Sequence, residues 1–247
     1  LYTPEGANDG VEFYPTNPAM VIVDTEVIAE ANERYLVAGM GDAMATWYEA
    51  RICLNNPQAL TPIGARPTLA SCAMGEVCAH TLLEHGEAAT RAVVANVCDE
   101  SLERVVEANT LLSGIGFESG GLALAHPMAL AFTQIDRIHH NYLHGEMVAM
   151  GTLIQLVMEA SKDADKIARF FARVGLPVHM DQLSLSPKAT DALDTIIEFA
   201  LKNKNAHYMP MPVTAASLRE AMLNANDLGL KISAELGDDA YRRVQGL

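Results

Sequence analysis

The sequence is short of positive charge: 17 Lys and Arg stand against 31 Asp and Glu, a formal net charge of −14. So acidic a surface repels phosphate backbones, so a nucleic-acid partner is not expected, and the charge reads as a means of solubility. Cysteine is scarce as well. Cys53, Cys72, Cys78 and Cys98 contain no CxxC pair and make no disulfide framework in a chain of 247 residues; they read as reduced core residues of a cytoplasmic protein. No apolar run is long enough to span a bilayer, because the longest candidate, 121–132, is broken by His126 and Pro127. No charged-then-apolar leader opens the chain, so no secretion signal is visible. The first residue is Leu1, and the opening LYTPEGANDG reads as the tip of a hairpin, a poor start for an independent fold. The chain therefore reads as a piece of something longer, or as a processed product.

What is present is apolar content. Half of the residues are hydrophobic, enough to bury one large core or two modest ones and to argue against disorder. VEFYP at 11–15 and AMVIVD at 19–24 flank Thr16-Asn17-Pro18 and predict a strand, a turn and a strand. From about residue 41 the apolar spacing is helical. It predicts helices near 42–55, 67–85, 87–95, 99–116, 118–134, 144–161, 163–174, 188–203 and 214–235. Gly86, Gly175 and Gly229 stand at plausible helix ends, and Pro177, Pro187, Pro210 and Pro212 punctuate loops. The fold class is mostly α, a bundle-like helical domain over 36–247 preceded by a short β remnant over 1–35.

Three segments combine ligand residues with unusual local chemistry. In Gly39-Met40-Gly41-Asp42 two glycines lead into a helix whose first turn holds a carboxylate, favoured there by the helix dipole. Asp42 reads as a metal ligand or simply as an N-terminal cap. In Gly120-Gly121-Leu122-Ala123-Leu124-Ala125-His126-Pro127 a lone histidine stands among small and apolar residues. Pro127 removes a helical N–H, and a bend there can turn the His126 ring toward a cleft; the alternative is a core histidine bonded to a carbonyl. In His139-His140-Asn141-Tyr142-Leu143-His144-Gly145-Glu146, His144 opens a helix. The positive end of the dipole keeps its ring neutral, as a metal requires. His139 and His140 read as part of a solvated loop. One carboxylate and two imidazoles form a normal set for catalytic zinc or non-haem iron with open coordination positions. The spacings are not those of a short motif, so the sequence does not itself bring the three together.

At these residues the chain resembles the iron-containing alcohol dehydrogenase family, and within it the glycerol dehydrogenases. The likeness runs through NPAMVIVDTEVIAEA, GMGDAMATWYEAR, LERVVEANTLLSGIGFESGGLALAH and YLHGEMVAMGTLIQLVME, with VGLPV and HYMP matching more loosely. The resemblance implies a dehydroquinate-synthase-like fold, in which the β segment is a remnant of an α/β nucleotide-binding domain. It implies one divalent metal, zinc or iron, on Asp42, His126 and His144. It implies a small polyol substrate with Phe117 lining its pocket, and NAD as acceptor in the oxidation of glycerol or a related vicinal diol. A homo-oligomer without nucleic-acid or membrane partners is expected. Phe117 and the Gly120-Gly121 turn are expected to border the cleft that Asp42, His126 and His144 face.

Two departures stand out. Ala129 occupies the position where the family usually has a second histidine, and it can neither bond substrate nor relay a proton. The family's Gly-Gly-Gly-Lys phosphate loop is missing from the sequence, so the cofactor is implied while most of its binding site is not, and the chain alone is expected to be inactive. Three other readings remain. A dehydroquinate-synthase-type lyase typically has glutamate where Asp42 stands. A non-catalytic metal-binding or assembly module fits the missing loop. An unrelated helical hydrolase could use His140 and His144, four positions apart on one helix face.

Overall fold

The computed structural model describes Glu12, Tyr14 and residues 16–247. Among these there is no strand. The stretch 19–24 forms no strand, with Met20, Val21 and Ile22 each more than 70% exposed. The β expectation is therefore not met at 19–24, and the partner stretch 11–15 lies largely outside the described residues. A strand pattern becomes a strand only when a neighbour takes up its N–H and C=O groups.

Everything after Asp24 is built on helices: α1 (Thr25–Ala29), α2 (Glu33–Asn55), α3 (Leu69–Val94), α4 (Glu100–Glu107), a π-helical turn (Ala108–Leu112) and α5 (Ser113–Gly120). There follow α6 (Ala125–Phe132), α7 (Asp136–Asn141), α8 (His144–Met158) and α9 (Ala164–Val174), then α10 (Thr190–Lys202), α11 (Ala215–Leu236) and α12 (Asp239–Gln245). Short 3-10 turns stand at Met180–Leu183 and Lys204–Tyr208. None of the helices among the described residues is long and apolar enough to cross a membrane.

Helix α8 is the axis of the packing. Every residue from Gly145 to Leu156 is buried, so the helix is enclosed on all sides. It packs on α2, α6, α9 and α11, while α2 also packs on α3 and α5. Met40, Met44, Leu124, Met128, Phe132, Met150, Leu153 and Ile154 fill the space between them without exposure. The closest approaches are set by glycine. A Cβ on Gly145 would lie 1.8 Å from the carbonyl oxygen of Ala38 in α2, and one on Gly151 would lie 2.3 Å from that of Ala125 in α6.

The same physics corrects several expected boundaries. Gly39 and Gly41 do not form a turn before a helix; both lie inside α2, so Asp42 is a mid-helix residue and not a cap. Gly86 and Gly229 do not end helices either. A Cβ on Gly86 would meet the Phe170 ring at 2.8 Å, and one on Gly229 would meet the carbonyl oxygen of Val178 at 1.8 Å. Only Gly175 of the three terminates a helix, in a left-handed conformation with φ 97°. The expected helix 118–134 is broken at Gly121, whose φ is 96°. Pro127 falls in the first turn of α6, where the missing N–H costs no helical bond. The histidine-rich loop is the helix α7, and α1 and α12 are further helices that the periodicity did not reveal.

Candidate metal centre

Asp42 projects from the middle of α2, His126 is the second residue of α6, and His144 is the first residue of α8. The packing of those three helices brings their side chains to one point. Asp42 Oδ1 lies 3.2 Å from His126 Nε2 and 3.8 Å from His144 Nε2. One ligand atom from each residue lies within 4.8 Å of the other two. The imidazole rings are 5.6 Å apart, centroid to centroid. His126 is largely buried, whereas Asp42 and His144 are almost half exposed, so the point is open to solvent on one side.

The electrostatics follow from burial and neighbours. Burial opposes charge on Asp42, but its hydrogen bond to His126 and the two imidazoles outweigh that and hold its carboxyl below the usual range. Burial likewise opposes charge on His126, yet Glu49 and Asp42 overcome it and push the ring up to about 10. His144 is shifted down, chiefly by burial.

Two residues that the sequence reading missed build the turn holding His126. Helix α6 has Leu124 at its N-cap position, which supplies no side-chain cap. Glu49, wholly buried, accepts from the Ala123 N–H at 2.8 Å and the His126 N–H at 3.1 Å through one oxygen. Its other oxygen contacts His126 Nδ1. Gln155 of α8, also fully buried, accepts from the N–H groups of Leu124 at 3.0 Å and Ala125 at 3.1 Å. The unpaired amides of a helix start are thus satisfied from neighbouring helices. Glu49 could have been suspected because it lies seven residues after Asp42, two turns along the same helix face. Gln155 is a polar residue in an otherwise apolar stretch of α8.

His144 is positioned in the same manner. Glu146, almost wholly buried, accepts from the Leu143 N–H at 2.7 Å and is gripped by the Arg34 guanidinium, at 2.7 and 2.8 Å. The side-chain amide of Gln245, at the end of α12, donates to the same carboxylate at 2.6 Å.

Phe117 stands beside the histidines, its ring 6.1 Å from that of His126. It also lines a cleft of about 740 Å³ together with Tyr14, Asn17, Ile63, Gly114 and Glu118. The Gly120-Gly121 turn packs on α2, where a Cβ on Gly120 would meet Ala50 at 2.8 Å and one on Gly121 would meet Cys53 at 3.0 Å. Ala129 is fully buried in the core. His140 is separated from the cluster: its Nδ1 contacts the Asp136 carbonyl at 2.8 Å, and it lies on α7, a different helix from His144. That removes the hydrolase pairing of His140 with His144 on one helix face.

The chain is 43% identical to a glycerol dehydrogenase of Escherichia coli over 238 residues, which are 95% of this chain and 64% of that protein. The chain is a homologue of the glycerol dehydrogenases. A crystal structure of a probable glycerol dehydrogenase from Sinorhizobium meliloti superposes with a TM-score of 0.87 at 33% identity, covering 93% of this chain and 65% of that one. An iron-containing alcohol dehydrogenase from Thermococcus thioreducens, at 18% identity and a TM-score of 0.58, shares the fold. No family model matches the chain. The chain thus spans a little under two thirds of the length of these glycerol dehydrogenase relatives.

Proposed function

We propose that Asp42, His126 and His144 hold one divalent metal, zinc or iron, in an NAD-dependent oxidation of glycerol or a related vicinal diol to the hydroxyketone. The observation that carries this reading is the convergence of one carboxylate oxygen and two imidazole nitrogens within 4.8 Å, from three helices, on one open point. The donor set fits the ion: three ligands without a thiolate leave coordination positions free for substrate, as catalytic sites do and structural zinc sites do not. The likeness to the E. coli glycerol dehydrogenase supports the choice of substrate.

A metal bound here supplies a Lewis acid for a substrate hydroxyl, and NAD supplies the hydride acceptor. The chain's own residues do the positioning. Asp42 brings the one negative charge among the three ligands. His144, kept neutral by burial, offers Nε2 toward Asp42. Phe117 has its ring beside that of His126 and also lines the cleft, and we assign it to the substrate pocket. In this reading 36–247 form the metal- and substrate-binding domain and 1–35 belong to a nucleotide-binding domain. The four cysteines, all unpaired, suit a cytoplasmic protein. Self-association of the chain is part of the same proposal.

The test is zinc titration calorimetry on the chain together with Asp42→Asn, His126→Ala and His144→Ala. One ion per chain, lost or greatly weakened in each variant, supports the site. Failure of the unaltered chain to bind any divalent metal overturns it. A dehydroquinate-synthase-type lyase is not favoured, because Asp42 stands where such enzymes typically have glutamate and relatives from Escherichia coli and Citrobacter freundii are glycerol dehydrogenases.

A further inference from the structure

Glu49 is a fully buried carboxylate that touches no solvent and makes no salt bridge to Lys or Arg among the described residues. A buried charge without such a partner is costly, so its hydrogen bonds carry the explanation for its presence. All of them go to one short stretch. One oxygen accepts from the backbone N–H groups of Ala123 and His126, and the other meets His126 Nδ1. The opposite ring nitrogen, Nε2, faces Asp42.

We propose that Glu49 is the positioning residue of the metal centre: its carboxylate fixes the proton of His126 on Nδ1 and thereby leaves the Nε2 lone pair directed at the metal position. The inference rests on the metal reading above. A carboxylate only accepts, so Nδ1 must be the donor in this pair. A neutral imidazole has a single N–H, and with that proton on Nδ1 the lone pair belongs to Nε2. The backbone contacts prevent an amide from substituting. In Glu49→Gln the amide oxygen can still accept from Ala123 and His126, but its NH2 then faces Nδ1. Nδ1 becomes the acceptor and the ring proton moves to Nε2. Turning the amide over would restore an acceptor for Nδ1 only by setting the NH2 against two backbone donors.

The experiment combines zinc calorimetry with NMR of the chain labelled with 15N at histidine. In the zinc-loaded, unaltered chain His126 is expected to carry its proton on Nδ1. Glu49→Gln is expected to move the proton to Nε2 and weaken zinc binding about 10- to 100-fold. Gln155→Met serves as the comparison, since it loosens the same turn at Leu124 and Ala125 without touching the ring. It should lower the melting temperature while leaving the tautomer in place and weakening zinc far less. A zinc-loaded, unaltered chain without a proton on Nδ1 overturns the proposal even if Glu49→Gln does not fold. So does zinc binding by Glu49→Gln within twofold of the unaltered chain, or an equal loss in Gln155→Met. Absence of zinc binding by the unaltered chain overturns the metal reading itself, and this inference with it.

Discussion

Gly41 and Gly145 meet backbone to backbone at the crossing of α2 and α8. A Cβ on Gly41 would stand 2.4 Å from the carbonyl oxygen of Gly145, and one on Gly145 would stand 1.8 Å from that of Ala38. Each glycine is next in sequence to a proposed ligand, Asp42 in one case and His144 in the other. The contact that joins the helices therefore also sets the distance between the two side chains.

Gly145→Ala should force the helices apart. Overpacking against backbone, which cannot swing away as a flexible side chain can, is expected to cost at least about 2 kcal/mol, read as a lower urea midpoint. Zinc affinity should fall with it, because Asp42 and His144 separate. A variant as stable as the unaltered chain would show that the crossing is not tight.

His144→Ala and His140→Ala separate the metal centre from the neighbouring histidine-rich helix. His144→Ala should abolish or sharply reduce zinc binding, since it leaves two ligands of three. His140→Ala should change it by less than about twofold, because His140 lies outside the cluster and contacts the Asp136 carbonyl. Calorimetry on both variants reads the difference, and an equal loss in the two would overturn the assignment.

Arg34 and Glu146 form a two-point ion pair with Glu146 almost fully buried and Arg34 about a quarter exposed. Arg34→Ala leaves the Glu146 carboxylate buried with only the Leu143 N–H and Gln245 as donors. The expected loss is about 2–3 kcal/mol in urea unfolding, somewhat below the range for a wholly buried pair because of the exposure of Arg34. Loss of order at the start of α8 should also weaken zinc binding through His144.

His179 gives the chain a pH dependence distant from the metal. It is buried, its Nδ1 has no hydrogen-bond partner among the described residues, and burial pulls its pKa down against the opposing charges of Asp238 and Asp181. The unfolded chain takes up a proton at this residue near the ordinary histidine value of about 6.5, before the folded chain does. Stability from the neutral ring is therefore complete above that pH and is lost progressively as the pH falls below it. Melting temperatures at pH 7.5 and 5.5 should differ less in His179→Gln than in the unaltered chain; an equal or larger difference would remove His179 as the cause.

The sequence by itself determined the helical class, the position of His144 at a helix start and the chemical types of the three converging residues. Helical apolar spacing and the identity of a side chain are local properties, readable residue by residue. It misplaced Asp42 at a helix start because Gly39 and Gly41 look like a turn, whereas in the fold they are where neighbouring groups press against α2. Only the tertiary structure decided that Asp42, His126 and His144 meet, that the Gly120-Gly121 turn packs on α2, and that the apolar stretch 19–24 forms no strand. It alone revealed Glu49 and Gln155, whose importance comes from burial against the uncapped start of α6. Such relations join residues tens of positions apart through the packing of helices on α8, and a linear pattern carries no information about which helix faces cross.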